Sequence, residues 1–385
     1  MFKKSVIEKL NRIQTPFYFY DLDMLRQNLA RLSDAAGQSG YKIHYALKAN
    51  VDVRILEQIR AHGLGADCVS GNEVGRALET GFQENEIVFA GVGKTDREIR
   101  YALQNNIHSF NCESLQELEV IEELANELDT IAPVALRLNP NLEANTHHYI
   151  TTGREENKFG IPFRDLDRAV ALLGQLQKVK LIGIHFHIGS QITDLMVYEN
   201  LCRKVNELQN WFEKRNVPLP NLNLGGGLGI DYVDPDENPV PDYKSFFKIF
   251  KENLEVRSGQ IVHFELGRSV VGQCGTLFTR VLYEKESGET AFAITDAGMT
   301  ELIRPALYGA YHKIENLTSK SAAVKEYDVV GPICESSDFL GKGVLLPETG
   351  RGDLLAIRSA GAYAQVMASR YNLREPAAVV YSDEL

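Results

Sequence analysis

The sequence predicts an α/β protein, a (β/α)8 barrel followed by a smaller, mainly β domain. Three observations carry this: eight short apolar runs between residues 43 and 266, helical patterns between them, and a change of texture after residue 272. The runs are IHYALK (43–48), GADCVS (65–70), IVFAG (87–91), HSFNC (108–112), VALRLN (134–139), LIGIHFHIG (181–189), NLNLGG (221–226) and IVHFEL (261–266). Short, nearly continuous apolar runs are how strands of a sheet covered on both faces read. Between them lie VRILEQIRAHG (53–63), SLQELEVIEELANEL (114–128), DLDRAVALLGQLQ (165–177) and YENLCRKVNELQNWFEKR (198–215), with apolar residues at helical spacing. Most follow a Ser, Asp or Asn able to cap a helix. Eight such units over about 220 residues match a closed barrel, whereas a doubly wound open sheet normally carries about six strands.

After residue 272 the runs TLFTRVLYEK (276–285), TAFAITDAG (290–298), VKEYDVVGPI (324–333), GDLLAIRSAG (352–361) and AAVVYSDEL (377–385) are separated by Gly, Ser and Pro. Mostly without long helices between them, they read as strands of a β domain. The expected boundaries are 17–272 for the barrel and 273–385, with 1–16, for the β domain.

The composition narrows the partners. A formal charge of −11 with no clustered Lys/Arg surface argues against nucleic acid, and 44% hydrophobic with 24% charged residues is ordinary for a globular protein. The five cysteines, Cys68, Cys112, Cys202, Cys274 and Cys334, are odd in number and far apart, which suggests reduced thiols rather than disulfides or structural zinc. Neither a signal-peptide core nor an apolar stretch of membrane-spanning length is present, so a cytoplasmic protein with no membrane partner is expected.

Active sites of such barrels form at the C-terminal ends of the strands. The residues closing the runs here are polar: Lys48, Asp67, Arg137, His187, Gly225-Gly226-Gly227 and Glu265. Singly each is weak. A lysine there is most often an ion-pair partner, a glycine run most often a tight turn, and His185 with His187 lacks the carboxylate spacing of a metal site, so no metal is expected. Together, an amine, a phosphate-type loop, a flat ring and a carboxylate on separate strands suit an aldehyde cofactor with a phosphate and a pyridine nitrogen.

These residues sit in longer motifs: YALKAN (45–50), GADCVSGNE (65–73), HFHIGSQI (185–192), GGGLGIDY (225–232), FELGRSVV (264–271), DAGMTELIRPALYGAYH (296–312), VVGPICESSDFLG (329–341) and SAGAYAQVMASRYN (359–372). In this order, over nearly the whole chain, they resemble the fold-type-III pyridoxal-phosphate decarboxylases, whose barrel is alanine-racemase-like. The resemblance implies pyridoxal 5'-phosphate held covalently by Lys48, with His187 stacked on its ring. It places the phosphate on Ser190, Gly226, Gly227 and the backbone of Glu265, Leu266, Gly267 and Arg268, near Tyr363. Asp67 and Arg137 are taken as further cofactor-binding candidates. Glu265 matches the carboxylate on the pyridine nitrogen, where racemases of this fold carry arginine. Cys334 matches the acid that returns a proton to the substrate carbon across a dimer interface, which implies a homodimer with shared active sites.

Within the family the pattern sides with meso-2,6-diaminopimelate, decarboxylated to L-lysine. Arg268, Arg304, Tyr308, Glu335 and Tyr363 occupy the positions that bind substrate, and two arginines with an acidic partner suit its far carboxylate and amine. The alternative is another decarboxylase of the same fold, acting on a basic amino acid or a carboxylated polyamine. Two departures stand out: ELGR (265–268) where the family commonly has EPGR, and CESSD (334–338) where it has CESGD. The polar stretch 145–160 is expected to close over the substrate.

Overall fold

A computed structural model describes residues 2–140 and 158–385. Most of the stretch 145–160 therefore lies outside the described residues. The strands, in chain order, are β1 (Phe17–Tyr20), β2 (Lys42–Ala46), β3 (Gly65–Cys68), β4 (Ile87–Phe89), β5 (Ser109–Cys112), β6 (Ala132–Arg137), β7 (Val179–His185), β8 (Asn221–Asn223) and β9 (Ile261–Leu266). There follow β10 (Gly275–Ser287), β11 (Thr290–Thr295), β12 (Ile314–Asn316), β13 (Val324–Val330), β14 (Phe339–Pro347), β15 (Leu354–Ile357) and β16 (Ala378–Tyr381). Contacts divide the chain into two compact units, one of Asn28–Gly229 with Asp242–Gly267, the other of Met1–Gln27, Ile230–Pro241 and Arg268–Leu385.

In the first unit β2 to β9 form a closed parallel barrel in sequence order, β9 pairing back onto β2. All eight expected runs are its strands. Helices follow β2 to β5 at Val53–Ala61, Gly71–Glu79, Asp96–Gln104 and Leu115–Glu127. Their first turns are capped by the side chains of Asp52, Ser70, Thr95 and Ser114, each accepting backbone N–H groups the helix cannot satisfy. Phe264 of β9 packs outward against Tyr41, Phe246, Phe247 and Phe250, with ring centroids 4.7–5.6 Å apart.

The lumen departs from the usual filling of branched aliphatic side chains. Buried His44, Asn111, His185, Asn223, His263 and Glu265 stand on its strands. Asn111 on β5 reaches Glu265 on β9, strands that are not neighbours, so this bond crosses the interior.

The second unit is a sheet ordered β12-β15-β10-β11-β13-β14, with β1 antiparallel to β10 and parallel to β16. Phe17, Phe19, Phe278, Leu354, Ala356 and Leu10 form one buried cluster in it. Residues 17–27 and 230–241, which the sequence reading placed within the barrel range, belong to this unit. The reason is visible in β1: all four residues of FYFY are buried, the pattern that also marks a barrel strand. β12 and β14 were not expected. β14 carries Gly341 and Gly343, which read as breakers, yet it pairs with β13 across two register irregularities, an instance of pairing overriding local propensity. Among the described residues no helix is long and apolar enough to cross a membrane.

Candidate active site

The barrel residues come first. β2 ends at Ala46, and Lys48 sits in the single 3-10 turn Leu47–Ala49 just beyond it, not in the strand itself. Its Nζ donates to Asp67 Oδ2 at 2.8 Å; the lysine side chain is one-third exposed and Asp67 fully buried. Among the described residues Asp67 Oδ1 has no hydrogen-bond partner. Burial, reinforced by the negative charge of Glu265, pushes the Asp67 pKa up to about 6 against the pull of Lys48.

Glu265 has the opposite environment. Its Oε1 accepts from Asn111 Nδ2 at 3.1 Å and Asn223 Nδ2 at 2.7 Å, and its Oε2 from His185 Nε2 at 2.9 Å. Burial alone would raise its pKa, but His185, by charge and hydrogen bond, and then Lys48 outweigh burial and hold the carboxyl below its ordinary range. Three donors on one buried carboxylate are what keep it ionised.

Arg137, the last residue of β6, is paired with Glu113 Oε1 at 2.6 Å, both side chains buried, and its guanidinium lies 4.6 Å from the Phe159 ring centroid. Glu113 also accepts the N–H groups of Gly91 and Gly160, so Arg137 braces loops at this end of the barrel. His187 lies two residues past the end of β7; burial first, then the cations Lys48 and Arg137, hold it well below its usual pKa, so the ring is neutral. Ser190 is half-buried between Gly189 (φ 150) and Gln191 (φ 59).

After β8 the chain turns through Gly225, Gly226 and Gly227. A Cβ on Gly226 would lie 1.8 Å from the Glu265 carbonyl oxygen, and Gly227 combines φ 101 with the Gly189 carbonyl 2.5 Å from its Cβ position. Glycine is thus obligatory at both. Glu265 N–H donates to Gly225 O at 2.7 Å and Gly225 N–H to Asn223 Oδ1 at 3.0 Å. Among the described residues no acceptor is recorded for the N–H groups of Gly226 and Gly227. Leu266 is buried at the end of β9, and a Cβ on Gly267 would touch Ala46 and Ala49 at 3.1 Å.

The remaining candidates lie in the second unit. Arg268 and Arg304, both buried, donate through Nη1 to the single oxygen of Tyr232, at 2.5 and 2.8 Å. Arg304 also donates to His312 Nε2 at 2.9 Å, while His312 Nδ1 donates to the Arg358 carbonyl at 2.9 Å. Burial, then the Arg304 charge, lowers the His312 pKa to about 3, so it stays a neutral acceptor. No carboxylate pairs with Arg304 among the described residues. Tyr363 (φ 57) stacks under Arg268, 4.8 Å from ring centroid to guanidinium. Tyr308 ends the helix Arg304–Tyr308 and is half-buried.

Cys334 and Glu335 are exposed. Cys334 N–H donates to Asn372 Oδ1 at 3.2 Å, and Glu335 Oε1 accepts from Tyr371 at 2.8 Å. Their loop is anchored by buried Asp338, which accepts the N–H groups of Met299 and Ile333 at 2.6 Å.

Of the residues the sequence reading named, Lys48, Asp67, Glu265 and the glycine turn stand at one end of the barrel, and Arg268 and Arg304 meet on Tyr232 in the second unit. The reading did not single out Asn111, Asn223, Glu113, Tyr232 or His312, and it weighed His185 only as a metal ligand. A signal existed for the first two: a polar residue two positions from the next inward-facing one in an otherwise apolar run.

The model of the pyridoxal-dependent decarboxylase pyridoxal-binding domain matches residues 22–272. The chain is 53% identical to the diaminopimelate decarboxylase of Bacteroides thetaiotaomicron over 98% of both chains. It is 42% identical to that of Neisseria meningitidis serogroup B over 96% of this chain and 88% of the relative. Among solved structures, diaminopimelate decarboxylase from Helicobacter pylori complexed with L-lysine superposes with a TM-score of 0.92 at 37% identity, covering 99% of this chain and 94% of that one.

The raised Asp67 pKa has a definite sign. The folded state binds this proton more tightly than the unfolded state, so the contribution is fully present below pH 3.8 and lost as pH rises through about 6. In cofactor-free protein, the stability of Asp67→Asn relative to the parent should rise by on the order of 1–3 kcal/mol between pH 4.5 and pH 7. Thermal unfolding across that range measures it; a stability difference that does not change with pH contradicts the assignment.

Proposed function

The chain belongs to the pyridoxal-dependent decarboxylases and, within them, to the diaminopimelate decarboxylases, and from that premise we propose that it converts meso-2,6-diaminopimelate to L-lysine and carbon dioxide, the last step of lysine formation. The observation that carries the chemistry is Glu265, a buried carboxylate kept anionic by Asn111, Asn223 and His185.

Pyridoxal 5'-phosphate is the cofactor, and the barrel residues fit it. Lys48 supplies an amine at the barrel end, the N–H groups of Gly226 and Gly227 suit a phosphate, and added Cβ atoms would fill their cradle. Bound there, the cofactor supplies a pyridinium ring that takes up the electron pair left when carbon dioxide departs.

The chain's own residues do the rest. Lys48 would hold the cofactor through its amine, with Asp67 beside its Nζ to take up or release charge there. Glu265 holds a proton at the ring nitrogen, which keeps the ring a strong electron sink. His187, neutral and flat, would lie against the ring without competing for that proton. Ser190, Gly226, Gly227 and the backbone at Glu265–Arg268, with Tyr363, hold the phosphate. Arg137, paired with Glu113, holds the shape of this end of the barrel and would face the cofactor's polar substituents. The Cys334 thiol gives its proton to the α-carbon where the carboxylate left, and the thiolate regains one from solvent.

Arg268, Arg304 and Tyr308 bind the far carboxylate of the substrate and Glu335 its far amine; two guanidinium groups gathered on Tyr232 suit a carboxylate. Exposure of Cys334 and Glu335 within one chain supports an active homodimer in which each β unit completes its partner's site. The composition and charge support work in the cytoplasm.

Carbon dioxide release from meso-diaminopimelate, LL-diaminopimelate, L-lysine, L-ornithine and L-arginine tests the reading, and release from the meso isomer alone, with L-lysine as product, is expected. Release from ornithine or arginine instead would transfer the assignment to the other decarboxylases of this fold. Cys334→Ala is expected to lower turnover about 10²–10⁴-fold, the usual loss for a general acid, with cofactor absorbance unchanged; turnover equal to the parent's removes Cys334 from the mechanism.

A further inference from the structure

Three imidazoles are packed together in the barrel lumen below the level of Glu265: His44 on β2, His263 on β9 and His108 just before β5. The ring centroids of His44 and His263 are 5.1 Å apart, those of His108 and His263 5.3 Å, and those of His44 and His108 6.3 Å. Two of the three are also joined in a chain of hydrogen bonds. His44 Nδ1 lies 3.0 Å from the Glu86 carbonyl oxygen, His44 Nε2 lies 2.9 Å from His263 Nδ1, and His263 Nε2 lies 3.0 Å from Asn221 Oδ1. The amide of Asn221 is oriented by its other end, where Nδ2 donates to the Ile182 carbonyl at 3.1 Å.

The chain therefore ends on an oxygen acceptor at both ends. Its three links need three protons, and two neutral imidazoles carry only two N–H groups whichever tautomers they adopt. With two protons, one link sets lone pair against lone pair in a buried site. The geometry points to a third proton: His44 and His263 share one proton more than two neutral rings carry, making the pair a buried cation in the barrel wall beside Glu265.

The surroundings bear on this in both directions. Burial draws each ring down, His44 to about 4 and His263 to about 2, and Lys42 and His108 act in the same sense, while Glu265 acts against them. That downward pull opposes the third proton as well as a fourth. The third is held by the two fixed acceptors and by Glu265, whose Cα is the register partner of His44 on the neighbouring strand and which lies two residues beyond His263. The shared charge gives Glu265 a second positive neighbour besides Lys48 and makes His44 and His263 positioning residues for its ionised state. The proton count stands apart from the decarboxylase reading; only its bearing on catalysis rests on it.

The test is magic-angle-spinning ¹⁵N spectroscopy of histidine-labelled holoenzyme at pH 7.5, with His44→Asn and His263→Asn to assign signals among the nine histidines. An imidazolium-type signal lost in both variants is expected. Asn221→Leu touches neither ring but removes one terminal acceptor, leaving two links for two protons. Its spectrum should revert to neutral-tautomer signals while its thermal midpoint and cofactor absorbance show that the barrel is intact. Should Asn221→Leu fail to fold, Asn221→Asp serves: an anionic terminus should carry the imidazolium signal to higher pH than in the parent. Neutral signals from both rings in the parent, an imidazolium signal indifferent to Asn221→Leu, or one whose pH range Asn221→Asp leaves unchanged would each overturn the proposal.

Discussion

Burying one carboxylate, Glu265, inside a closed barrel sets terms that much of the barrel meets. A charge removed from water is tolerable only when its oxygens are hydrogen-bonded and opposite charge is near. Asn111, His185 and Asn223 supply the bonds from three other strands, and two of them, on β5 and β7, reach across strands that do not adjoin β9. The lumen is polar for that reason, and aliphatic packing has moved outward, to surfaces such as the aromatic cluster around Phe264. The backbone of Glu265 sets a second condition: its N–H binds Gly225 O and its carbonyl approaches Gly226 so closely that no side chain fits there. One residue thus ties the carboxylate and the glycine turn into a single piece of geometry.

The two buried carboxylates of the barrel are driven apart. Asp67, which among the described residues has Lys48 as its one side-chain donor and one oxygen without a partner, is pushed toward its protonated form; Glu265, with three donors, is held ionised. Divergent environments of this kind assign different duties to chemically similar groups. Asp67 is suited to give and take charge beside an amine, Glu265 to remain a fixed anion.

Much of this was legible in the sequence because barrel strands buried on both faces leave continuous apolar runs, and the polar residues closing them stand out. The N-terminal segment had no pattern that assigned it to either part; contacts group β1 with the β unit, and β14, which was not expected, takes its place through pairing with β13 despite its glycines. The donors around Glu265 escaped because the polar residue in SFNC or NLN marks at most an inward-facing position; its meaning lies in a partner up to 154 residues away. Tyr232 and His312, which gather the arginines, escaped likewise. At the departures ELGR and CESSD, Leu266 is buried and Ser337 is not among the residues with positive φ, so the backbone there does not require glycine.

The most direct test of Glu265 as the fixed anion is turnover of Glu265→Gln, which keeps the shape of the side chain and removes its charge. The account predicts a holoenzyme that retains its cofactor while decarboxylation of meso-diaminopimelate falls about 10²–10³-fold, as when a preorganised electrostatic contact is removed from an active site. Turnover close to the parent's, with cofactor bound, would contradict it.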